Sequence, residues 1–485
     1  DSMIVDSGNP IKSVASMRWA TAFFNKHNLK LHVEDDHKEQ FTFGFTGRVN
    51  ALLSKNDQYL GAVFQKEGLI VHSEYENLTG KKALYKILFD DIDYIYVSHI
   101  HPDHSSQKTL AHLKKNIPVL IHDFPSKALK NRIERFGFET IELEHDKRIE
   151  LKNNIHINIL AADNCDPQLC GKFIGCTMQY KVGANYIDTM SVIDDGNQVI
   201  VNTNDCPFDL AQFAAMRIKK KYDKVDVLLN AFTGASAYPH MFKMTEGEKT
   251  IAAEKKKLIG YQRAMNYIKL LEPKYFFPIA GRYTYCGKLA KYNDKRGEPE
   301  IEEGFDFLTS KIDQNKSKGI ILNAKESFDL TTGESSNPYT RINKEKKKDY
   351  LENVLSKRKM DYEDDPEPPT EEIKKLILKS FERFEKMRKK INFSTNTRII
   401  LDFSSQDLVD ISCNGGGIDF IKKDQLKKYE QYVKMSLDKK LLKRLLEGPA
   451  KEHWNIAEGG GHIFFDRVPN NYEVSLFYCF YHFYA

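Results

Sequence analysis

Ser98-His99-Ile100-His101-Pro102-Asp103-His104-Ser105 gathers three imidazoles and a carboxylate within six positions. It follows Ile92-Asp93-Tyr94-Ile95-Tyr96-Val97, a run that predicts a buried strand. In extended chain alternate side chains share a face, so His99 and His101 point at one ion, while Asp103 and His104 reach a second from the loop. A histidine-rich surface turn is the bland alternative. Neutral imidazole beside carboxylate at a strand end favours metal ligation over it. Ser105 and Ser106 then precede a stretch, Gln107 to Leu113, that reads as a capped helix start.

Working outward, a chain of 485 residues, 41% hydrophobic with 30 Phe and 24 Tyr, is long enough for a large core and more than one domain. The charge is nearly balanced, 73 Lys and Arg against 68 Asp and Glu, which argues against nucleic acid as the main partner and permits an anionic small-molecule substrate. Seven scattered cysteines, with no Cys-x-x-Cys or Cys-x-His pair, fit a reducing compartment. No apolar run reaches membrane-spanning length and no signal peptide is visible, so the expectation is a cytoplasmic protein without a membrane partner.

Upstream, Val14 to Asn28 has helical spacing, Gln40 to His72 reads as strands and Leu84 to Phe89 as a short helix. Downstream, Pro118 to His122 predicts a strand and Ser126 to Arg135 a helix, the alternation of an α/β layer. Strands return from Ile141 to Ala162 and end at Asp163-Asn164-Cys165-Asp166, where a ligand role and ordinary turn chemistry compete. A hairpin is expected from Asp188 to Thr203 around Asp194-Asp195-Gly196-Asn197, its second strand running into Asp205, an acid placed to bridge two cations. The strand Val225 to Asn230 leads into a small-residue loop, and Thr250 to Leu271 is an amphipathic helix. Tyr275 to Ile279 empties into a second glycine loop, where Arg282 is suited to a phosphate or carboxylate and Tyr283 stands beside it.

Composition changes from 341 to 392, read as a charged helical linker between a domain spanning 1–340 and a small C-terminal α/β domain spanning 393–485. In that last part Thr397 to Phe403 and Leu408 to Ser412 predict strands, and Leu426 to Leu446 a helix.

The spacing His-x-His-x-Asp-His at a strand end, followed a hundred residues later by a strand-end aspartate, resembles the metallo-β-lactamase fold. That resemblance implies an α/β architecture, an αββα sandwich with metals at one edge. Asp188-Thr189, Asn202-Thr203-Asn204-Asp205-Cys206, Phe232 to Pro239 and Pro278 to Tyr283 are most similar to the metallo-β-lactamase-like part of the CMP-N-acetylneuraminate hydroxylases, and Leu446 to Tyr472 more weakly to their tail. The resemblance implies an oxygenase acting on a nucleotide-linked or other anionic metabolite. Two departures stand out. No Cys-x-His pair accompanies the lone Cys479-x-x-His482, so the two pairs that hold a Rieske cluster are not both present and electrons would come from an external donor. The middle and last histidines of hydrolytic members are also missing, with Asp163, Asp166 or Asp188 as substitutes for the middle one.

The expected metal ligands are therefore His99, His101, Asp103, His104 and Asp205, completed by Asp188 or Asp163; Asp103, Arg282 and Tyr283 are the expected catalytic residues. Histidine plus carboxylate without thiolate suits iron, and also zinc or manganese. The leading reading is a dinuclear iron oxygenase, the second a dinuclear zinc hydrolase of an ester, lactone or phosphodiester, the third a binding protein with a decayed site.

Overall fold

The computed structural model describes residues 62–65, 68–71, 92–101, 104–105, 110–111, 113–152, 154–163, 188–234, 236–279, 284–323, 328–404 and 406–485. The helices expected over 14–28 and 84–89, the strands expected over 40–61 and the cap at 105–109 lie wholly or partly outside these residues.

The first sheet holds β1 (Ala62–Gln65), β2 (Gly68–Val71), β3 (Ile92–Tyr96), β4 (Val119–His122) and β5 (Thr140–Leu143), in the order β2-β1-β3-β4-β5. The strands β3, β4 and β5 run parallel, joined across β4 and β5 by the helix Ala128–Arg135. The second sheet holds β6 (Ile149–Lys152), β7 (Ile155–Ala161), β8 (Thr189–Asp194), β9 (Val199–Asn202), β10 (Val227–Ala231), β11 (Tyr275–Ile279) and β12 (Lys318–Gly319), in the order β12-β11-β10-β9-β8-β7-β6. The expected hairpin is realised as the antiparallel pair β8 and β9, with Asp194 opposite Val199.

Both faces of the second sheet are covered, which is why its strands read as continuous apolar runs. Ile157, Ile159, Val227, Leu229 and Phe277 meet Ile95, Val119 and Ile121 of the first sheet in one core. The alternate residues Leu160, Leu228 and Phe276 turn the other way, onto Ala214 and Ile218 of the helix Phe208–Lys221 and Ala264 and Ile268 of the helix Glu246–Leu271. The layers are thus two facing sheets with helices outside them. The longer helix begins at Thr245, whose side chain accepts from the Glu248 N–H while Glu248 reaches back to the Thr245 N–H.

After a short antiparallel pair, β13 (Phe328–Asp329) and β14 (Glu334–Ser335), a third sheet contains β15 (Arg398–Asp402), β16 (Asp407–Ser412), β17 (Ile418–Lys422), β18 (Tyr432–Ser436) and β19 (Phe464–Val468), ordered β17-β16-β15-β18-β19. Two expectations are corrected here. The segment Leu426 to Leu446 is not one helix: Tyr432–Ser436 pairs in parallel with β15, turning Val433 and Met435 inward, and only Lys439–Leu446 is helical, capped by the Asp438 side chain. The lysine-rich helix Thr370–Lys390 is no detached connector either. Apart from the buried Arg388, its charges lie outward or at the margin, while Ile373, Ile377 and Phe384, at helical spacing, are fully buried in the core of the third sheet.

That core also takes in Met241, Phe242 and Tyr285, from the loops leaving β10 and β11. Phe242 bridges to Phe465, the Lys243 N–H donating to the Phe465 carbonyl and the Phe465 N–H to the Met241 carbonyl, each at 2.8 Å. Among the described residues no helix is long and apolar enough to cross a membrane.

Candidate metal centre

Three strand ends meet at one edge of the sandwich: the exit of β3, the entrance of β8 and the exit of β9. Because β8 and β9 are antiparallel neighbours, the acid before one and the acid after the other fall side by side. The edge is stitched by buried hydroxyls. Thr189 Oγ1 donates to the Ser98 carbonyl at 2.9 Å, so the 2.6 Å contact between Tyr96 Oη and Thr189 Oγ1 has tyrosine as donor. The Asn204 amide donates to Tyr96 Oη at 3.2 Å and to the Thr189 carbonyl at 2.6 Å. Asn204 sits at φ +46°, a left-handed conformation asparagine tolerates, and its N–H bonds the Asn202 side chain at 3.1 Å. That turn swings Asp205 toward the histidines.

Ser98 Oγ lies 3.0 Å from His99 Nδ1 and 3.4 Å from His104 Nδ1. The two rings are tilted against each other, centroids 4.1 Å apart. With their Nδ1 sides on the serine, both rings turn Nε2 toward the centre. His99 Nε2 lies 2.8 Å from His101 Nδ1, and His104 Nε2 3.1 Å from Asp205 Oδ2. One donor atom each from His99, His104 and Asp205 falls within 4.8 Å of the others. His99 and His104 are buried, whereas the Asp205 side chain is 36% exposed.

Of the expected residues, the structure therefore brings His99, His101, His104 and Asp205 together, with Asp188 behind His99, its Oδ1 at 3.2 Å from His99 Nδ1. Asp163 is engaged elsewhere, paired with Arg217, whose guanidinium also donates to His145 at 2.7 Å. Asp103, Asp166, Arg282 and Tyr283 lie outside the described residues. Burial pushes the Asp188 carboxyl well above the usual range and the Asp205 charge pushes the same way, against His104, the Thr189 N–H and the Cys206 thiol. A cation is the natural means of letting two adjacent carboxylates ionise together. The donor set, imidazole nitrogens and a carboxylate oxygen turned toward one another, fits iron, manganese or zinc.

Ser98, Tyr96, Thr189 and Asn204 were not singled out for a role by the sequence. The available signal was a polar residue in a strand buried throughout, which Thr189 shares with Ser191 and Asp194.

These features define a mixed α/β fold of the metallo-β-lactamase-like class, with a candidate metal centre at the sandwich edge. No protein-family profile matches the chain. It is similar to a Mycobacterium tuberculosis protein named provisionally as a Rieske 2Fe-2S iron-sulfur protein, 27% identical over 246 residues, 50% of this chain and 44% of the relative. It is similar also to the cytidine monophosphate-N-acetylneuraminic acid hydroxylase of Danio rerio, 27% identical over 226 residues, 44% of this chain and 34% of that enzyme. The chain thus spans less than half the length of these relatives. Among solved structures, CmlA, a diiron β-hydroxylase from Streptomyces venezuelae, matches with a TM-score of 0.34 at 13% identity, covering 56% of this chain and 54% of CmlA.

Proposed function

We propose that this protein is a dinuclear metal oxygenase, iron favoured over zinc or manganese, that hydroxylates carbon or nitrogen of a small anionic or nucleotide-linked metabolite. The observation that carries the reading is the convergence of His99 Nε2, His101 Nδ1, His104 Nε2 and Asp205 Oδ2 on one edge of the sandwich. His99 and His101 would hold one ion; His104, Asp205 and Asp103 the other. When bound, the ions supply dioxygen activation, and the reducing equivalents come from an external electron-transfer partner. Similarity to the N-acetylneuraminate hydroxylase supports the reaction class, and the Rieske relative supports the kind of donor.

The residues described here act on orientation. Ser98 holds two imidazoles by their Nδ1 edges, and the Asn204-Tyr96-Thr189 chain fixes the spacing between the β3 exit and the acids of the second sheet. Arg282, which follows β11 in sequence, is the proposed anchor for the anionic group of the substrate, and Tyr283 its sequence neighbour.

The test is reconstitution with iron under anaerobic conditions, metal analysis, and dioxygen uptake with a one-electron donor. Two irons per chain with donor-dependent uptake is the expected result; no iron and no uptake ends the proposal. The imidazole share of the donor set keeps a zinc hydrolase as the second reading, in which Asp103 orients a water. Ester, lactone or phosphodiester cleavage by the zinc-loaded protein without dioxygen would select it.

A further inference from the structure

Asp188 precedes β8 directly, and its surroundings differ from those of Asp205. It is buried at the entrance of β8. Its Oδ1 accepts the Thr189 N–H at 2.7 Å and lies 3.2 Å from His99 Nδ1, which it shares with Ser98 Oγ at 3.0 Å, on the edge of the ring opposite His101. The opposite ring nitrogen, His99 Nε2, is the one 2.8 Å from His101 Nδ1.

A neutral imidazole carries one N–H and one lone pair. A carboxylate on Nδ1 fixes the N–H there, leaves the lone pair at Nε2 and raises its basicity, the arrangement found behind metal-bound histidines. Donor atoms of His99, His104 and Asp205 lie within 4.8 Å of one another, whereas Asp188 approaches His99 from its Nδ1 side, away from the ring nitrogen that faces His101. We infer that Asp188 is not a metal ligand but the positioning carboxylate of His99, clamping the ring's tautomer from the side opposite His101. Thr189 serves the same end from the backbone side, since its N–H holds the carboxylate while its hydroxyl holds the Ser98 carbonyl. This inference rests on the metal centre proposed above.

The experiment uses the full chain loaded with cobalt(II) or zinc and compares wild type with Asp188→Asn, which keeps an acceptor for both N–H groups, and His99→Ala. A positioning role predicts that Asp188→Asn binds as many ions as wild type, 10- to 100-fold more weakly, with an unchanged cobalt absorption spectrum. His99→Ala loses an ion. Loss of an ion in Asp188→Asn, or a changed cobalt spectrum at full occupancy, overturns the inference. Should the variant not fold, nitrogen-15 spectra of the zinc-loaded wild type decide alone: His99 must carry its proton on Nδ1, and a proton on Nε2 overturns the assignment. A wild type that binds no ion at all removes the metal centre itself, a failure distinct from either outcome for Asp188.

Discussion

Thr189 donates its hydroxyl proton to the Ser98 carbonyl across 91 positions of sequence, and that 2.9 Å bond joins the second sheet to the strand exit bearing the histidines. With the Tyr96–Thr189 and Asn204–Tyr96 bonds it sets the separation of the two halves of the site. Thr189→Val keeps the shape and strands a buried carbonyl and the Tyr96 hydroxyl, so it is expected to cost about 1–3 kcal/mol. Urea denaturation of the metal-free protein measures this, and Thr189→Ser, which retains the hydroxyl, should recover most of it.

Removing one arm of the centre should remove one ion. His104→Ala takes away the imidazole facing Asp205 at 3.1 Å, and elemental analysis is expected to fall from two ions per chain to one. Chelation of the wild type should lower its melting temperature, because ions bound only by the folded state stabilise it by mass action. In His104→Ala the chelator-induced drop should be smaller.

Glu298 is buried with Arg296 and Lys256, its Oε2 accepting from Arg296 Nε at 3.0 Å. Burial alone would raise its carboxyl, but Lys256, Arg296 and His240 together hold it down to about 2. For an acid depressed in the fold, the stability gained is present above the ordinary glutamate range and lost as pH falls toward 2. Glu298→Gln should therefore destabilise the protein at neutral pH by about 3–5 kcal/mol, and flatten the fall in melting temperature between about pH 5 and pH 2.

Gly461 stands at φ +73°, and a Cβ there would come within 2.5 Å of Tyr285 Oη, which itself lies 2.6 Å from His240 Nε2. Gly459, two residues earlier, has nothing within 4 Å of its Cβ position. The pair gives opposite signs. Gly461→Ala should cost about 1–3 kcal/mol from backbone strain alone, while Gly459→Ala, in a helix, should stabilise by up to about 1 kcal/mol. Thermal unfolding of both variants checks the contrast.

How far the chain could be read depended on the range of the interactions involved. The strand before His99, the hairpin from Asp188 to Thr203 and the helix ending at Leu271 were legible because period and turn chemistry are local. The helix Thr370–Lys390 misled because its composition is dominated by outward lysines and glutamates, while three buried positions, Ile373, Ile377 and Phe384, decide its place. Tyr432–Ser436 misled because a short alternating run beside a true helix start is ambiguous until β15 is present to pair with it.

By itself, the sequence determined the donor types, their order at the end of β3 and the strand-end acid at 205, since ligand chemistry and side-chain alternation belong to neighbouring residues. Only the tertiary structure decided which acid faces the histidines from which side: Asp163 is drawn to Arg217, Asp188 settles behind His99 and Asp205 faces His104. Strand order and the buried bonds among Ser98, Tyr96, Thr189 and Asn204 set those distances, and those bonds join residues 91, 93 and 108 positions apart.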